Sequence, residues 1–391
     1  MKIAFFCIPA YGHTNPTLGV VRELTARGHE VWYYSYEMMR GRIEAAGAKF
    51  VACDAYDCER RLSPADGARV GKDIAFSTKV LVDTTLALDD MVCADMKRLR
   101  PDCIVADSMA VWGKAVARKL GVPFVSSTTT FAFNRYSAKI MKRDDGGLLR
   151  MLTAMPKAGR ELKRLREKGY PVRNILDILQ NDNMTDTVVY TSPEFQPCAE
   201  TFSDKYAFVG PIVREAKETV EKTGGKLVYI SMGTVNNDLL PLYRACIEAF
   251  QDGKRQVILS AGEQVDIAAL GELPDNIAVY PRVDQIAVLE KADAFISHCG
   301  MNSASESLYF GVPLVLLPQT AEQGGVAERV RQLGAGIRPG RQDAAGIRAA
   351  AEEVLTDRTY RENAEKIRDG FRRCGGAAAA ADKILQVCMQ K

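Results

Sequence analysis

Twice along this chain, from Lys2 to Phe131 and again from Lys226 onward, short runs rich in β-branched and aromatic residues alternate with longer runs of helical periodicity. In the first half, Lys2–Pro9, Glu30–Tyr36, Ala48–Cys53, Cys103–Asp107 and Phe124–Thr129 read as strands. Helices over Pro16–Arg27, Asp73–Arg100 and Met109–Leu120 fall between them. In the second half, strands are expected at Lys226–Met232, Gln256–Ala261, Ile277–Tyr280, Ala292–Ser297 and Pro313–Pro318. Helices are expected over Leu239–Phe250, from Asn302 and from Glu322. Apolar strands separated by helices are the signature of βαβ units, whose sheet is parallel and covered on both faces. The expected class is α/β, with two doubly wound, Rossmann-like domains facing across a cleft and ligands outside the carboxyl ends of the strands.

The break in the rhythm sets the domain boundaries. Residues 135–182 are charged and helical, including Lys157–Lys168, a strand follows near Thr187–Thr191, and Tyr206–Pro211 marks its exit. Residues 211–225 are charged and end in a glycine pair, a composition that suits a linker. The expected domains are therefore 1–210 and 226–391, joined by 211–225.

Composition excludes several classes. Lys and Arg number 52 against 49 Asp and Glu, a formal net charge of +3, so no strong field recruits nucleic acid. No apolar run approaches the roughly 20 residues of a membrane-spanning helix, and Met1–Ile8 runs into polar residues too early for a signal peptide. The ten cysteines are scattered without a Cys-x-x-Cys pair, and none of the three histidines has zinc-ligand spacing to one. Reduced thiols, no metal site and a cytoplasmic chain, monomeric or weakly dimeric, are the expectation.

Chemistry-bearing residues gather where strands end. Phe295-Ile296-Ser297-His298-Cys299-Gly300-Met301-Asn302-Ser303 is an apolar strand stopping at a glycine before a helix, and a helix N-terminus is a ready phosphate site. Asn302 and Ser303 would serve equally as ordinary helix caps. Glu306, in the first turn, is positioned to accept from ribose hydroxyls. Ser231-Met232-Gly233-Thr234 ends another strand and offers a second backbone nest. Glu322 and Gln323 pair a carboxylate with an amide past a third strand end, a combination that holds vicinal hydroxyls of a hexose or simply opens a helix. In the first half, His13 follows the first strand in a loop flanked by Gly12 and Pro16, and Asp107 ends the strand Cys103–Asp107, where it would be either a histidine's orienting acid or a helix cap.

Taken together, Gln285…Val288-Leu289, His298-Cys299-Gly300-x-Asn302-Ser303-x-x-Glu306-Ser307-Leu308, Gly311-Val312-Pro313 and Glu322-Gln323 resemble the donor signature of the UDP-dependent family 1 glycosyltransferases, in their bacterial macrolide-type branch. The resemblance implies a GT-B fold, with a C-terminal helix crossing back to the N-terminal domain, and an inverting, metal-independent transfer needing no cofactor beyond the nucleotide sugar. It assigns the diphosphate to His298, Asn302, Ser303 and the Ser231–Thr234 loop, with Gly300 in the turn, the ribose to Glu306, and the sugar hydroxyls to Glu322 and Gln323. Arg282, Val283 and Gln285 fall in its base-binding stretch. His13, in Gly-His-x-Asn-Pro, becomes the general base and Asp107 its partner. Arg282 stands where plant members carry a base-stacking Trp, Asp284 replaces a Pro, and Glu322 replaces an Asp.

A dinucleotide oxidoreductase is disfavoured because the first strand ends in Pro9-Ala10-Tyr11-Gly12-His13, without a Gly-x-Gly-x-x-Gly turn, and Gly334-Ala335-Gly336 follows a helix. A nucleotide-sugar epimerase and a non-catalytic binding module stay open. The partners expected are a nucleotide-sugar donor, glucose most readily, and a small apolar or phenolic acceptor. Phe131, Phe133, Tyr136, Met141 and Met151 are available to the acceptor pocket, although aromatics and Met at such spacing also form cores.

Overall fold

The computed structural model describes residues 1–54, 63, 69, 73–137, 147–174, 177, 181–223, 225–233 and 239–390. Thr234 and Met141 lie outside the described residues, and of Met151 only its place in the helix Gly147–Glu167 is described. The chain divides into two units, Met1–Ile212 with Cys374–Lys391, and Val213–Arg373.

In the first unit, β1 (Lys2–Phe6), β2 (Glu30–Ser35), β3 (Lys49–Ala52), β4 (Cys103–Asp107), β5 (Phe124–Thr128), β6 (Thr187–Val189) and β7 (Tyr206–Phe208) form a parallel sheet in the order β3-β2-β1-β4-β5-β6-β7. Alternation along β1 sorts its residues onto two faces. Ile3 and Phe5 pack with Val20, Val21 and Leu24 of the helix Tyr11–Ala26 and with Ala380, Ile384 and Val387 of the last helix, Gly376–Cys388. Ala4 and Phe6 face the opposite layer, with Val82, Val92 and Met96 of Ile74–Leu99 and Trp112 and Val116 of Val111–Leu120. The last helix of the chain thus completes the core around its first strand.

In the second unit, β8 (Leu227–Ser231), β9 (Gln256–Ser260), β10 (Ile277–Tyr280), β11 (Ala294–Ser297), β12 (Leu314–Leu316) and β13 (Gly336–Ile337) make a second parallel sheet, in the order β10-β9-β8-β11-β12-β13.

Strand order reverses direction between β1 and β4 in one sheet and between β8 and β11 in the other. At such a point the two neighbouring crossovers diverge to opposite faces and leave a crevice at the strands' carboxyl ends. β1 is in register with β4 through Phe6 and Ala106, and β8 with β11 through Ser231 and Ser297. Every residue singled out at the ends of these four strands is therefore delivered to a crevice by topology alone.

Candidate active site

Each unit carries its own cluster of candidate residues. In the first, His13 is not the loop residue expected ahead of a helix starting at Pro16. It is the third residue of Tyr11–Ala26, which contains Pro16. Proline favours a first-turn position because its missing N–H costs nothing there, but packing overrides that preference. Thr14 and Thr17 are fully buried, and Thr17 bonds the Thr14 carbonyl and the Tyr33 hydroxyl, each at 2.7 Å. Those contacts secure the helical turn that aims His13.

His13 Nδ1 lies 2.8 Å from Asp107 Oδ2, with 21% of the histidine side chain exposed and none of the aspartate. The other carboxylate oxygen, Oδ1, accepts from the Met109 amide at 2.8 Å. Asp107 therefore closes the turn after β4 and holds the imidazole at once, while Ala110 is the residue that caps Val111–Leu120. A second oxygen, Thr129 Oγ1 at the end of β5, stands 3.0 Å from the same Nδ1. Thr129 escaped attention in the sequence, its only signal being the polar run Ser126–Thr130 at a strand end. An Nδ1–H shared between two oxygens leaves Nε2 as the basic nitrogen.

The residues expected around an acceptor separate. Phe131 is fully buried, its ring 5.4 Å from that of Phe195, and belongs to the core. Phe133 and Tyr136 are exposed. They sit on a turn that Gln196 holds by both ends of its amide, accepting from Ala132 N and donating to Ala132 O, each at 2.9 Å. Asn134 Oδ1 tightens the turn by accepting from the amides of Tyr136 and Ser137. Met109, exposed beside Asp107, joins them as a surface hydrophobe that sequence reasoning passed over.

In the second unit the chain turns from β11 into the helix Met301–Tyr309 through Cys299, a non-glycine residue at φ +64°. Left-handed backbone of this kind clusters at ligand-binding turns. It is secured by the Cys299 amide donating to Ser297 Oγ at 3.1 Å, and burial pushes the Cys299 thiol up to about 12. Neither Asn302 nor Ser303 is the cap. That position is Gly300, which has no side chain to close the first amides of the helix.

His298 is packed between two glycines. A Cβ built on Gly233 or on Gly300 would stand 2.6 Å from His298 Nε2. Burial lowers the imidazole below its ordinary pKa, opposed by the Ser231 carbonyl, and so favours the neutral ring. Its Nδ1 is buried with no hydrogen-bond partner among the described residues. Gly233, at φ +85°, follows Ser231, whose hydroxyl accepts from the Gly233 amide at 3.3 Å.

Glu306 is half-buried, and loss of water raises its pKa against the pull of the Gln285 amide and the Arg214 charge. Gln285 joins Tyr229 to Glu306, accepting from the Tyr229 hydroxyl at 3.2 Å and donating through Nε2 to Glu306 Oε2. Its side chain thus orients the carboxylate. Arg282 is exposed and 3.5 Å from Glu263, with Val283 half-buried beside it. Gln323 Oε1 accepts from the amides of Gln319 and Thr320 in a capping box, so its amide –NH2 is the end left for a ligand, and Glu322 is exposed one residue earlier. Among the described residues, no group of three or more His, Cys, Asp or Glu could hold a metal, and no helix is long and apolar enough to cross a membrane.

Asp284, the N-cap of the short helix Gln285–Leu289, is buried and accepts from both terminal nitrogens of Arg214 and from the amides of Lys217 (2.6 Å) and Ile286 (3.2 Å). Burial alone would raise its pKa, but Arg214 and the Lys217 amide hold it at about 2. Because the folded value lies below the ordinary 3.8, the unfolded chain protonates first as pH falls. The resulting stabilisation is complete above about pH 4 and is lost towards pH 2. It amounts to about 2 kcal/mol, each pKa unit being worth about 1.36 kcal/mol. Thermal unfolding of wild type and Asp284→Asn across pH 2–6 should show a gap that narrows by that amount between pH 4 and pH 2. A gap independent of pH would remove the assignment.

Comparison with known proteins meets this geometry. Residues 247–374 match the family model of the erythromycin biosynthesis protein CIII-like C-terminal domain. The chain is 32% identical to the NDP-glycosyltransferase YjiC of Bacillus subtilis (strain 168), covering 98% of this chain and 96% of that protein. It is 33% identical to the demethyllactenocin mycarosyltransferase of Streptomyces fradiae, covering 98% and 85%. Among solved structures, the glycotransferase of kitacinnamycin superposes with a TM-score of 0.85 at 28% identity, over 99% of this chain and 98% of that one.

Proposed function

Since this chain belongs to the family 1 glycosyltransferases of the bacterial macrolide type, enzymes of GT-B fold that use nucleotide sugars, we propose that it transfers a hexose, glucose first among candidates, from a UDP-sugar to a hydroxyl of a small apolar or phenolic acceptor with inversion at the anomeric carbon. The observation that carries the reading is the 2.8 Å approach of His13 Nδ1 to Asp107 Oδ2.

His13 Nε2 takes the proton as the acceptor oxygen bonds to the anomeric carbon. The bond from that carbon to the diphosphate breaks, and the nucleoside diphosphate leaves. Asp107 holds the imidazole in the tautomer whose Nε2 is basic and stabilises the imidazolium that forms. Glu306 binds the ribose hydroxyls, and Glu322 with the amide of Gln323 binds the sugar. The charge on the leaving diphosphate meets the opening amides of Met301–Tyr309 and neutral His298, a preorganised set of donors that needs no metal. Phe133, Tyr136 and Met109 offer apolar surface to the acceptor. Most cysteines among the described residues are buried, and reduced thiols of this kind suit a reducing compartment such as the cytoplasm.

The test is an acceptor screen by mass spectrometry. UDP-glucose, UDP-galactose, UDP-N-acetylglucosamine and TDP-glucose are each incubated with phenolic and macrolide acceptors, with a chelator in every arm. A glycoside formed only when both substrates are present, at an unchanged rate in chelator, is expected. Donor epimerised without acceptor would replace this reading with the epimerase.

A further inference from the structure

Asp284 and Arg214 serve no step of that reaction, yet they are tied closely to its donor site. The tie runs through consecutive residues. Asp284 clasps Arg214 and the Lys217 amide, and Gln285, next in the chain, donates to Glu306 Oε2. The Arg214 guanidinium is 41% exposed on its side chain while Asp284 is 4% exposed. It is also close enough for its charge to act on Glu306, as does that of Asp284 with opposite sign. Arg214 is thus a half-exposed cation with two carboxylates within its influence, and of these two only Asp284 holds it.

The distinction matters because of what each carboxylate is for. Arginine's planar fork binds a carboxylate through two parallel N–H bonds, occupying the lone pairs that vicinal hydroxyls would use. With Gln285 already on Oε2, a Glu306 taken by Arg214 could not accept from both vicinal hydroxyls of a ribose. Four donors on Asp284 make it the better partner. The family resemblance puts a proline at this position, which has no side chain to hold an arginine.

We propose that Asp284 is a positioning residue of the donor site: by sequestering Arg214 it keeps the Glu306 carboxylate available to the ribose hydroxyls of the nucleotide sugar. This deepens the assignment of Glu306 made above and rests on it. Removing the Asp284 charge releases Arg214 to Glu306, where it competes with the nucleotide. Removing Arg214 as well abolishes the competitor.

The experiment is titration calorimetry of the full chain with UDP, alongside donor KM and kcat, for Asp284→Asn, Arg214→Gln, the double variant, Asp284→Glu and Glu306→Gln. Asp284→Asn should weaken UDP at least ten-fold and raise donor KM to match, with kcat unchanged. Arg214→Gln, the double variant and Asp284→Glu should all stay within three-fold of wild type. A double variant as weak as Asp284→Asn, or an Asp284→Asn protein that binds normally, overturns the proposal. If Asp284→Asn does not fold, Arg214→Gln decides alone, since a ten-fold loss there makes Arg214 a nucleotide contact and ends the argument. Glu306→Gln separates the premise from the inference. It should lose UDP affinity ten-fold, and normal binding by that variant would refute the ribose assignment itself.

Discussion

Replacing His13 by alanine should lower turnover by roughly 10²- to 10⁴-fold, the range that one positioned general base contributes, while UDP affinity stays within three-fold of wild type. The expected separation follows from where the residue sits. His13 belongs to Met1–Ile212 and the donor groups to Val213–Arg373, so deleting the imidazole removes none of the contacts assigned to the nucleotide. The partner substitution, Asp107→Asn, should also be severe, for a reason specific to this geometry. One carboxylate oxygen is committed to the Met109 amide. In that variant the amide oxygen of the new side chain would keep this bond and turn its –NH2 towards His13 Nδ1. A donor facing Nδ1 moves the ring proton to Nε2, where a base cannot have it. Thr129, 3.0 Å from the same nitrogen, can accept in place of Asp107, so the loss should be smaller, about 10²-fold. Wild-type turnover in His13→Ala would end the catalytic assignment. Equal and total loss of UDP binding in either variant would show that folding, not proton transfer, had been removed.

The second large effect should come from adding one carbon to Gly300. Its φ of −59° is ordinary for any residue, so Gly300→Ala introduces no backbone strain. The new methyl would nevertheless meet His298 Nε2 at 2.6 Å, well inside the roughly 3.5–4 Å of an ordinary contact between heavy atoms. Gly233 packs close to the same nitrogen, where a built Cβ would also stand 2.6 Å away, so little room is left for the ring to shift past it. The ring must leave its place, and with it goes the neutral donor proposed for the diphosphate, together with the proposed approach to the helix N-terminus. UDP affinity should fall at least ten-fold. Gly233→Ala should do as much and also destabilise the fold, since φ +85° is left-handed and costs an L residue about 1–2 kcal/mol. Nonadditivity makes the test sharp: Gly300→Ala in a His298→Ala background should add nothing, the methyl then having only space to fill. Additive losses would mean that the glycine serves the backbone and not the ring.

Much of this site is legible in the sequence because of the sheets. A parallel strand ends where its ligands bind, so the residues after Cys103–Asp107 and Ala292–Ser297 were candidates as soon as those strands were recognised. What brings His13 to Asp107 is the β1–β4 adjacency, which alternation cannot reveal because it fixes elements and not their lateral order. Helix starts carry the weakest signal in the sequence. Pro16 looked like a first-turn residue by local chemistry and was overruled by the burial of Thr14 and Thr17, a tertiary effect. Gln323 shows the opposite case, in which the modest expectation that it opens a helix is realised in full by its capping box. Roles that depend on a third residue, such as Thr129 on His13 or Gln285 on Glu306, carried almost no local signal.

The placement of Gly376–Cys388 against β1 bears on how the molecule is made. A ribosome releases the first sheet long before this helix, with the whole of Val213–Arg373 still to be translated. At roughly 5–20 residues per second that interval is on the order of 10–30 s. Throughout it, Ile3, Phe5 and Val21 lack the Ala380, Ile384 and Val387 that cover them in the finished chain. The second unit, continuous in sequence, is complete first. The half that carries His13 waits for Gly376–Cys388, so that face of its sheet stays uncovered while Val213–Arg373 is being translated. A chain lacking Gly376–Cys388 would leave Ile3, Phe5 and Val21 without the Ala380, Ile384 and Val387 that pack on them.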